Sequence, residues 1–444
     1  MKKIFTLLTI MLVLTLGITG CGVLKTPEEL IQPPELNVEK KKLNDALLNY
    51  LPQNADLIVL PYVKGLKQES SLINKDIDGD GEKEAVALYR DKNTRKIGLI
   101  VLDREKDAWI KKTDIKLDVF EVADYKIIDI NNDGKDEIII GYYGITNPYK
   151  EVNIYVQDQN TLKSIFKERY LALDILDADD DGIQDIVISD FADTQYNNRV
   201  SVFNVYGNNP VKISEISYPK ENEVYSISFG KVNGRTKAFF VDMYVNQTYG
   251  QTDVVIYEDK ELYSLIKDSH IKDIIQTTPI KSVDIDDDGI IEVAKMQVID
   301  RYDRENSSAN NFVKNYYKIT EKLELELTSQ VYEDIDMNIN ITFPLSFKNN
   351  YFIEKISGEN QISVYFSPQQ AKKAILFMVV KKVEKSQLDS LLGEYQLITE
   401  MENMAVIAKI MQEPENMDHI QRNLYDRMKY DARNLTTVIK PANF

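Results

Sequence analysis

Four short segments of the chain carry acidic side chains at spacings that suit a divalent metal ion. All four follow the pattern D-x-[DN]-x-D-G-x-x-[DE], and we call them loops 1 to 4 in chain order. Calcium takes about six to eight oxygen ligands and prefers carboxylates, so positions 1, 3, 5 and 9 supply the candidate ligands. These residues are Asp76, Asp78, Asp80 and Glu84 in loop 1; Asp129, Asn131, Asp133 and Glu137 in loop 2; Asp177, Asp179, Asp181 and Asp185 in loop 3; and Asp284, Asp286, Asp288 and Glu292 in loop 4.

The glycine at position 6 of each loop permits the sharp turn that brings the carboxylates together. An EF-hand is the main rival, but it needs a bidentate Glu at position 12 and a helix on each side. The flanks of the four loops have the composition of strands, and position 12 is Ala87, Ile140, Ile188 and Lys295. We therefore expect turns between strands that hold about four structural Ca²⁺ ions. Acidic turns without metal are the alternative.

The loops belong to an internal repeat. Their first aspartates lie 53, 48 and 107 residues apart, and the last spacing is about twice the others. A silent copy should therefore lie near residue 230, where Phe229–Gly234 keeps the glycine and has lost the acids. Apolar or alternating runs around each loop give roughly four strands per 50-residue unit, which is typical of a propeller blade. The sequence predicts five such units and leaves the number of blades open.

The pattern changes after about residue 340, where no further acidic loop occurs. Short strand-like runs and a short helix predict a small α+β domain. Its terminal helix is predicted over 415–436, from an apolar stripe of Met417, Ile420, Leu424 and Met428 at helical spacing. The expected fold is therefore mainly β. It consists of a calcium-loop β-propeller over 55–340, followed by a small α+β domain over 341–444.

The N-terminus has the features of a secretory signal. Lys2 and Lys3 give a positive start, Ile4–Ile18 is largely apolar, and small residues precede Cys21. This segment resembles a bacterial lipobox, so 1–20 is expected to be a lipoprotein signal peptide. A lipid on Cys21 would then anchor the chain to the outer face of the cell membrane. An ordinary signal peptide, in which the cysteine is incidental, is the alternative.

The segment between the signal and the repeats, 21–54, is expected to be a lipidated tether that ends in a short helix. The helix is predicted over Val38–Tyr50, with Leu43, Leu47 and Leu48 on one side. The single cysteine of the chain lies at the anchor, so the fold is expected to have no disulfide.

The chain is strongly acidic, with a formal net charge of -17. Loss of 1–20 would remove Lys2 and Lys3 and leave -19. Nucleic acid is excluded as a partner, because its phosphates require clustered Lys and Arg. The same charge argues against flat docking on an anionic membrane surface, so membrane contact is expected through the lipid alone.

The four loops and the strands that follow them resemble the FG-GAP and VCBS-type repeats of integrin-α-like β-propellers. The resemblance covers about residues 55–335, although the FG and GAP tripeptides are poorly kept and Phe229–Gly230 is only a remnant. In that family, the Asp and Asn side chains of each loop coordinate one Ca²⁺ within a blade. The resemblance implies the same role for the candidate ligands of loops 1 to 4.

These features favour a membrane-anchored module that binds or scaffolds a protein or glycan of the cell envelope, rather than an enzyme. An enzyme acting on envelope polymers or polysaccharides is the second hypothesis. Against it, the chain has only His270 and His419, and it lacks a nucleophile elbow, an H-E-x-x-H motif and a Gly-rich phosphate loop. A calcium-dependent adhesin is the third hypothesis. Its partner binding would vanish at calcium levels that leave the fold intact.

Overall fold

The structure, a computed structural model, describes residues 38–59, 72–144, 149–158, 161–192, 197–245, 247, 249–267, 269–271, 274–276, 279–299, 312–355, 360–368, 374–415 and 417–442. The predicted signal peptide, Cys21 and the first part of the tether lie outside the described residues. Across the described ranges, no helix combines the length and the apolar character that a membrane crossing requires.

Six antiparallel sheets dominate the structure, and we number them in chain order. Sheet 1 contains β1 (Ala55–Leu57), β2 (Leu72–Lys75), β3 (Glu84–Asp91), β4 (Ile97–Glu105) and β5 (Ala108–Leu117). Sheet 2 contains β6 (Val119–Ile128), β7 (Glu137–Gly144), β8 (Lys150–Asp158) and β9 (Thr161–Tyr170). Sheet 3 contains β10 (Ala172–Leu176), β11 (Asp185–Ala192), β12 (Asn197–Tyr206) and β13 (Asn209–Tyr218).

The remaining strands form three further sheets. Sheet 4 contains β14 (Asn222–Lys231), β15 (Lys237–Val245), β16 (Tyr249–Glu258), β17 (Glu261–Ser264) and β18 (Ile274–Gln276). Sheet 5 contains β19 (Val293–Val298), β20 (Phe312–Ile319), β21 (Leu325–Asp334), β22 (Ile339–Phe343) and the last strand, β28 (Ile439–Pro441). Sheet 6 contains β23 (Tyr351–Glu354), β24 (Gln361–Phe366), β25 (Ile375–Glu384), β26 (Gln396–Glu400) and β27 (Met404–Ile410).

Helices are few in the described part of the chain. They are α1 (Val38–Tyr50), α2 (Lys385–Leu391), α3 (His419–Asp431) and α4 (Leu435–Val438), with one 3₁₀ turn at Leu345–Phe347. The predicted mainly β class is confirmed, whereas the propeller and its number of blades stay predictions. The chain forms two compact units, which are Met1–Glu121 with Gln157–Lys163, and Val122–Val156 with Ser164–Phe444.

The acidic loops occupy equivalent places in successive sheets. Loop 1 joins β2 to β3, loop 2 joins β6 to β7, and loop 3 joins β10 to β11. Loop 4 precedes β19, and an antiparallel bridge between Val283 and Glu292 stands where the other sheets have their first strand. In sheet 4, a turn over 232–236 joins β14 to β15, which is the place predicted for the silent copy.

In sheets 1 to 4, the strand that follows the turn lies in the core, because its residues are apolar at consecutive rather than alternate positions. In sheet 5, only Val293 and Ala294 of β19 are buried. Six consecutive residues are buried in each of β3, β7 and β15. By contrast, the last strands of sheets 1 to 3, which are β5, β9 and β13, are largely half-buried or exposed. The ninth residue of an acidic loop is therefore placed where the chain enters the core.

The helix predicted over Val38–Tyr50 is found with those bounds, and it packs on sheet 1. Leu43 and Leu47 are buried, since positions four apart share a helix face. The prediction was wrong for Leu48, which is 63% exposed because it is turned away from that face.

Sheet 6, the helix α2 between β25 and β26, and the terminal helix α3 correspond to the strands and helices predicted for the C-terminal region. The terminal helix is shorter than predicted, because Asp418 caps it by accepting from the N–H groups of Ile420 and Gln421. Its buried face is formed by Tyr425 and Met428, while Ile420 is 61% exposed, contrary to the expected stripe. The core of sheet 6 is continuous with sheet 5, where β28 pairs with β22.

Asp242 is a buried carboxylate that links β15 to the segment leading into loop 4. Its side chain accepts from Thr252 Oγ1 at 2.7 Å, from Ser282 Oγ at 2.8 Å and from the Ser282 N–H at 2.8 Å. Burial raises the pKa of Asp242 to about 6, although these three hydrogen bonds oppose the rise. The sheet without an acidic loop therefore uses a satisfied carboxylate to contact the next repeat.

An Asp242→Asn variant should change how stability depends on pH. The folded state binds the Asp242 proton more tightly than the unfolded state, so the free energy of unfolding contributed by this group falls as pH rises from about 4 to about 6. The difference amounts to roughly 2–3 kcal/mol and is absent in the variant. Thermal melts of both proteins between pH 4 and 8 in EDTA would measure it. A constant difference in melting temperature across this range would contradict the prediction.

Candidate metal centres

Loops 1 to 4 adopt one backbone conformation. The residue at position 4 has a positive φ in every loop, with 75° for Gly79, 58° for Asn132, 60° for Asp180 and 61° for Asp287. The glycine at position 6 also has a positive φ, between 82° and 92°. A β-carbon at any of these four position-6 glycines would meet no atom within 4 Å, so the backbone angle rather than crowding favours glycine there.

The same hydrogen bonds close each loop. The glycine N–H at position 6 donates to Oδ2 of the first aspartate at 2.7–3.0 Å. The N–H at position 7 donates to Oδ1 of the fifth residue at 2.8–2.9 Å. The ninth residue reaches back and accepts from the N–H at position 2 at 2.7–3.0 Å. These bonds orient the carboxylates from within the loop itself.

In three loops, the carboxylates of positions 1, 3 and 9 converge. One oxygen from each residue lies within 4.8 Å of the others in the sets Asp76–Asp78–Glu84, Asp177–Asp179–Asp185 and Asp284–Asp286–Glu292. In loop 2, position 3 is Asn131, which offers an amide oxygen instead of a carboxylate. The position-5 residue is outside these sets, and its carboxylate accepts from the N–H at position 7.

The ninth residue is the buried candidate ligand of each loop. Glu84 and Glu292 are 0% exposed. Glu84 Oε1 makes no hydrogen bond, and Glu292 Oε1 has only the Lys318 ammonium 3.5 Å away. A buried carboxylate oxygen without a donor is costly unless a cation lies beside it. The converging oxygens therefore fit a hard cation with an all-oxygen ligand set, such as Ca²⁺.

The pKa values of these buried acids are displaced upward. Burial raises the pKa of Glu84 and of Glu137 to about 7, and neighbouring loop carboxylates add to the rise. Burial likewise raises the pKa of Asp185 to about 6. In each case the hydrogen bond from the N–H at position 2 opposes the shift. The ionised loops are thus electrostatically strained while no cation is bound.

Lysines from neighbouring strands supply positive charge at loops 1 and 4. Lys112 Nζ lies 2.7 Å from Asp103 Oδ2 and 3.5 Å from Asp78 Oδ2. At loop 4, Lys318 Nζ lies 2.5 Å from Asp288 Oδ2, 3.3 Å from Asp286 Oδ2 and 3.5 Å from Glu292 Oε1. The Lys318 ammonium therefore contacts carboxylates that a metal ion would use.

Amide side chains support loops 2 and 3, although Lys237 Nζ also lies 2.5 Å from Asp180 Oδ1 at position 4 of loop 3. Asn131 Nδ2 donates to the Gly207 carbonyl at 2.9 Å, and its Oδ1 accepts from the Asp133 N–H at 3.0 Å. In loop 3, Asn204 Nδ2 donates to Asp185 Oδ1 at 2.7 Å, so both oxygens of Asp185 have protein partners. The shorter Asp at position 9 thus leaves loop 3 with fewer free carboxylate oxygens than loops 1 and 4.

The turn of sheet 4 is closed without acids, as the sequence predicts. Asn233 Oδ1 accepts from the N–H groups of Arg235 and Thr236 at 3.1 Å, and Val232 N–H donates to the Thr236 carbonyl at 2.7 Å. Sequence reasoning missed the supporting residues Lys112, Lys318 and Asn204. No local signal marks them, because they lie on later strands that reach the loops only in the folded chain.

Comparisons with known proteins do not assign a family. No family model matches the chain, and no curated protein matches it. Among solved structures, Bacillus licheniformis rhamnogalacturonan lyase PL11 is similar over 68% of this chain and 70% of that chain. The identity is 11% and the TM-score is 0.28, so the likeness carries no argument about fold or activity.

A Lys318→Met variant should separate the two sources of positive charge at loop 4. In the variant without calcium, the carboxylates of loop 4 have no ammonium partner. Its melting temperature in EDTA should therefore lie about 2–4 °C below that of the wild-type chain. The calcium affinity of loop 4 should increase severalfold, because the ion no longer competes with Lys318. Calorimetric titration and thermal melts would measure both effects.

Lys322→Met is the matched control, since Lys322 is exposed in the turn that follows β20. It should change neither the melting temperature in EDTA nor calcium uptake. Weaker calcium binding in Lys318→Met would show instead that the lysine supports the site.

Proposed function

We propose that loops 1 to 4 each bind one Ca²⁺ ion and that these ions stabilise a β-propeller built from the repeated sheets. The observation that carries this proposal is the convergence of three carboxylates, one of them buried, in loops 1, 3 and 4. Carboxylates at such distances repel one another, and burial removes the water that would solvate them. A divalent cation offsets both effects, and the oxygen-only ligand set favours calcium over softer metals.

The repeated arrangement supports the propeller. Sheets 1 to 5 each have a turn ahead of a strand that contains buried residues, and four of these turns are acidic loops. Repetition of one four-stranded unit is the architecture from which propellers are assembled. On this proposal, each ion stabilises the turn that connects a buried strand to the segment before it.

The chain acts as a lipoprotein on the outer face of the cell membrane, anchored through a lipid on Cys21. There it binds or scaffolds a protein or glycan of the cell envelope. The lipobox-like segment before Cys21 supports the anchor. Calcium modules that work outside cells bind the ion in the range of about 0.1–1 mM, so loops of this type suit an exported chain.

Calcium should bind with a stoichiometry of about four and should raise the melting temperature. Chelator-treated protein would be titrated with CaCl₂ by calorimetry and melted in EDTA, in CaCl₂ and in MgCl₂. We expect the highest melting temperature in CaCl₂, because Mg²⁺ demands a smaller octahedral cage. No uptake of calcium, together with equal melting temperatures in EDTA and CaCl₂, would contradict the proposal.

The glycines offer a matched pair for this titration. Gly182→Ala places a side chain at a φ of 85° in loop 3, which destabilises the closed loop by roughly 1–2 kcal/mol. The calcium affinity of this loop should therefore fall by about tenfold. Gly234→Ala alters the turn of sheet 4, where φ is not positive and space is open. This variant should leave the calcium affinity of all four loops unchanged.

Membrane attachment should depend on Cys21. Expressed in a bacterium that processes lipoproteins, the wild-type chain should fractionate with membranes, and Cys21→Ala should appear in the soluble or unprocessed fraction. A lipid on Cys21 adds at least two acyl chains, which suffice for stable anchoring. Equal membrane retention of the two proteins, with no difference in mass after processing, would overturn the anchor.

A further inference from the structure

Loop 3 borders a groove. The groove has a volume of about 720 Å³, and it is bordered by loop 3, by the turn of sheet 4 and by the β16–β17 hairpin. Within loop 3, Asp185 is buried and Asp181 is exposed, so the site runs from the core to the groove surface. Asp179 belongs to the converging set and also lines the groove, so a metal ion held there would face the groove on the Asp179 side.

The ligand set of loop 3 leaves room for an outside donor. Both oxygens of Asp185 already accept hydrogen bonds from protein donors. Calcium needs about six to eight oxygens, so an ion in loop 3 would keep positions for water or for a ligand. Loop 4 contrasts with this arrangement, because there Lys318 covers the carboxylates.

Cations border the groove opposite the acids. Lys237 Nζ lies 2.5 Å from Asp180 Oδ1, while Arg235 and Lys260 are exposed. Five carboxylates and three cations line the groove, which gives a net charge of -2. A bound Ca²⁺ would bring the groove to neutrality and would add a strong local positive centre. An anionic ligand is therefore disfavoured without calcium and favoured with it.

A buried hydroxyl without a partner points to a ligand as well. Tyr257 lines the groove and is 6% exposed, and its hydroxyl makes no hydrogen bond. Burial first, and then the charges of Asp185, Asp179 and other neighbours, raise the pKa of Tyr257, so its hydroxyl stays a donor. Buried phenol groups usually have a hydrogen-bond partner, and a ligand or its bridging water would provide one here.

The lining favours a polar, hydroxylated ligand over an apolar peptide anchor. Its aliphatic residues, Ala178 and Ile256, are both buried, so neither gives the groove an exposed aliphatic anchor. Tyr263 is 42% exposed and presents a ring against which a sugar face can pack. Peptide recognition usually relies on an aromatic or aliphatic anchor in an apolar pocket, which this lining does not provide.

We propose that this groove binds a carboxylated oligosaccharide, whose carboxylate completes the coordination of a Ca²⁺ ion held in loop 3 and pairs with Arg235. The inference rests on the proposed calcium function and deepens it, because it assigns a ligand class to one loop. The other loops keep purely structural ions.

The test uses the full chain in 1 mM CaCl₂ and tetrasaccharides of glucuronate, of galacturonate, and of glucuronate alternating with N-acetylglucosamine. The tetramer of N-acetylglucosamine is the uncharged comparison, and tetraglutamate is the carboxylate peptide. We expect at least one acidic tetrasaccharide to bind, with loss of binding in EDTA and none to the uncharged tetramer. Binding to the uncharged tetramer with equal affinity, or stronger binding to tetraglutamate, would overturn the proposal.

Matched variants locate the site. Asp181→Asn in loop 3 and Arg235→Gln should each lower the affinity for the acidic tetrasaccharide by about tenfold or more. Asp133→Asn removes the equivalent carboxylate of loop 2, and Arg427→Gln removes an exposed charge on α3. Both should leave tetrasaccharide affinity unchanged. Thermal melts in CaCl₂ would verify that all four variants are folded, and an equal loss in Asp133→Asn would overturn the assignment to loop 3.

Calorimetry of calcium uptake in the same samples separates the two proposals. Uptake of calcium without binding of any acidic tetrasaccharide would overturn the proposed oligosaccharide binding in the groove, but it would not contradict the proposed calcium function. Absence of calcium uptake would overturn both. Tetrasaccharide binding that persists in EDTA would show that no metal ion is needed, and it would refute the groove proposal.

Discussion

Repulsion between carboxylates held close together is the interaction on which this structure depends. In loops 1, 3 and 4, oxygens of three acids lie within 4.8 Å of one another. At an effective dielectric of about 20, two unit charges at that distance repel by roughly 3 kcal/mol. The loop backbone counters part of this repulsion with N–H donors at positions 2, 6 and 7. The remainder is offset by a cation, either an ammonium from the chain or a metal ion, or by protonation of the buried ninth residue, whose pKa is raised by burial in loops 1 and 3.

The acidic loops are coupled to the core through their last residue. Glu84 and Glu137 are the first residues of β3 and β7, and the next five residues of each strand are buried. The carboxylate that accepts the position-2 N–H therefore fixes the point at which the chain enters the core. A cation bound at such a loop would stabilise the strand as well as the turn, which explains why acid-rich turns can persist beside well-packed sheets.

The repeats differ in how they satisfy their acids, although their backbones are alike. Loops 1 and 4 have a lysine beside their candidate ligands, loop 2 replaces one acid with an amide, and loop 3 pairs its shorter ninth residue with Asn204. Sheet 4 has no acidic loop, and its buried carboxylate, Asp242, is fully hydrogen bonded to Thr252 and Ser282. Loop 3 combines incomplete protein coordination with an adjoining groove.

The sequence by itself determined the features that depend on residues close together in the chain. These are the four loops and their glycines, the core strands after them, the turn without acids in sheet 4 and the helix Val38–Tyr50. The tertiary structure decided which residues complete the loops, since Lys112 and Lys318 follow Glu84 and Glu292 by 28 and 26 residues. It also decided that Leu48 and Ile420 are exposed and that a groove adjoins loop 3. Such contacts depend on strand pairing and on packing between distant segments, which local periodicity does not encode.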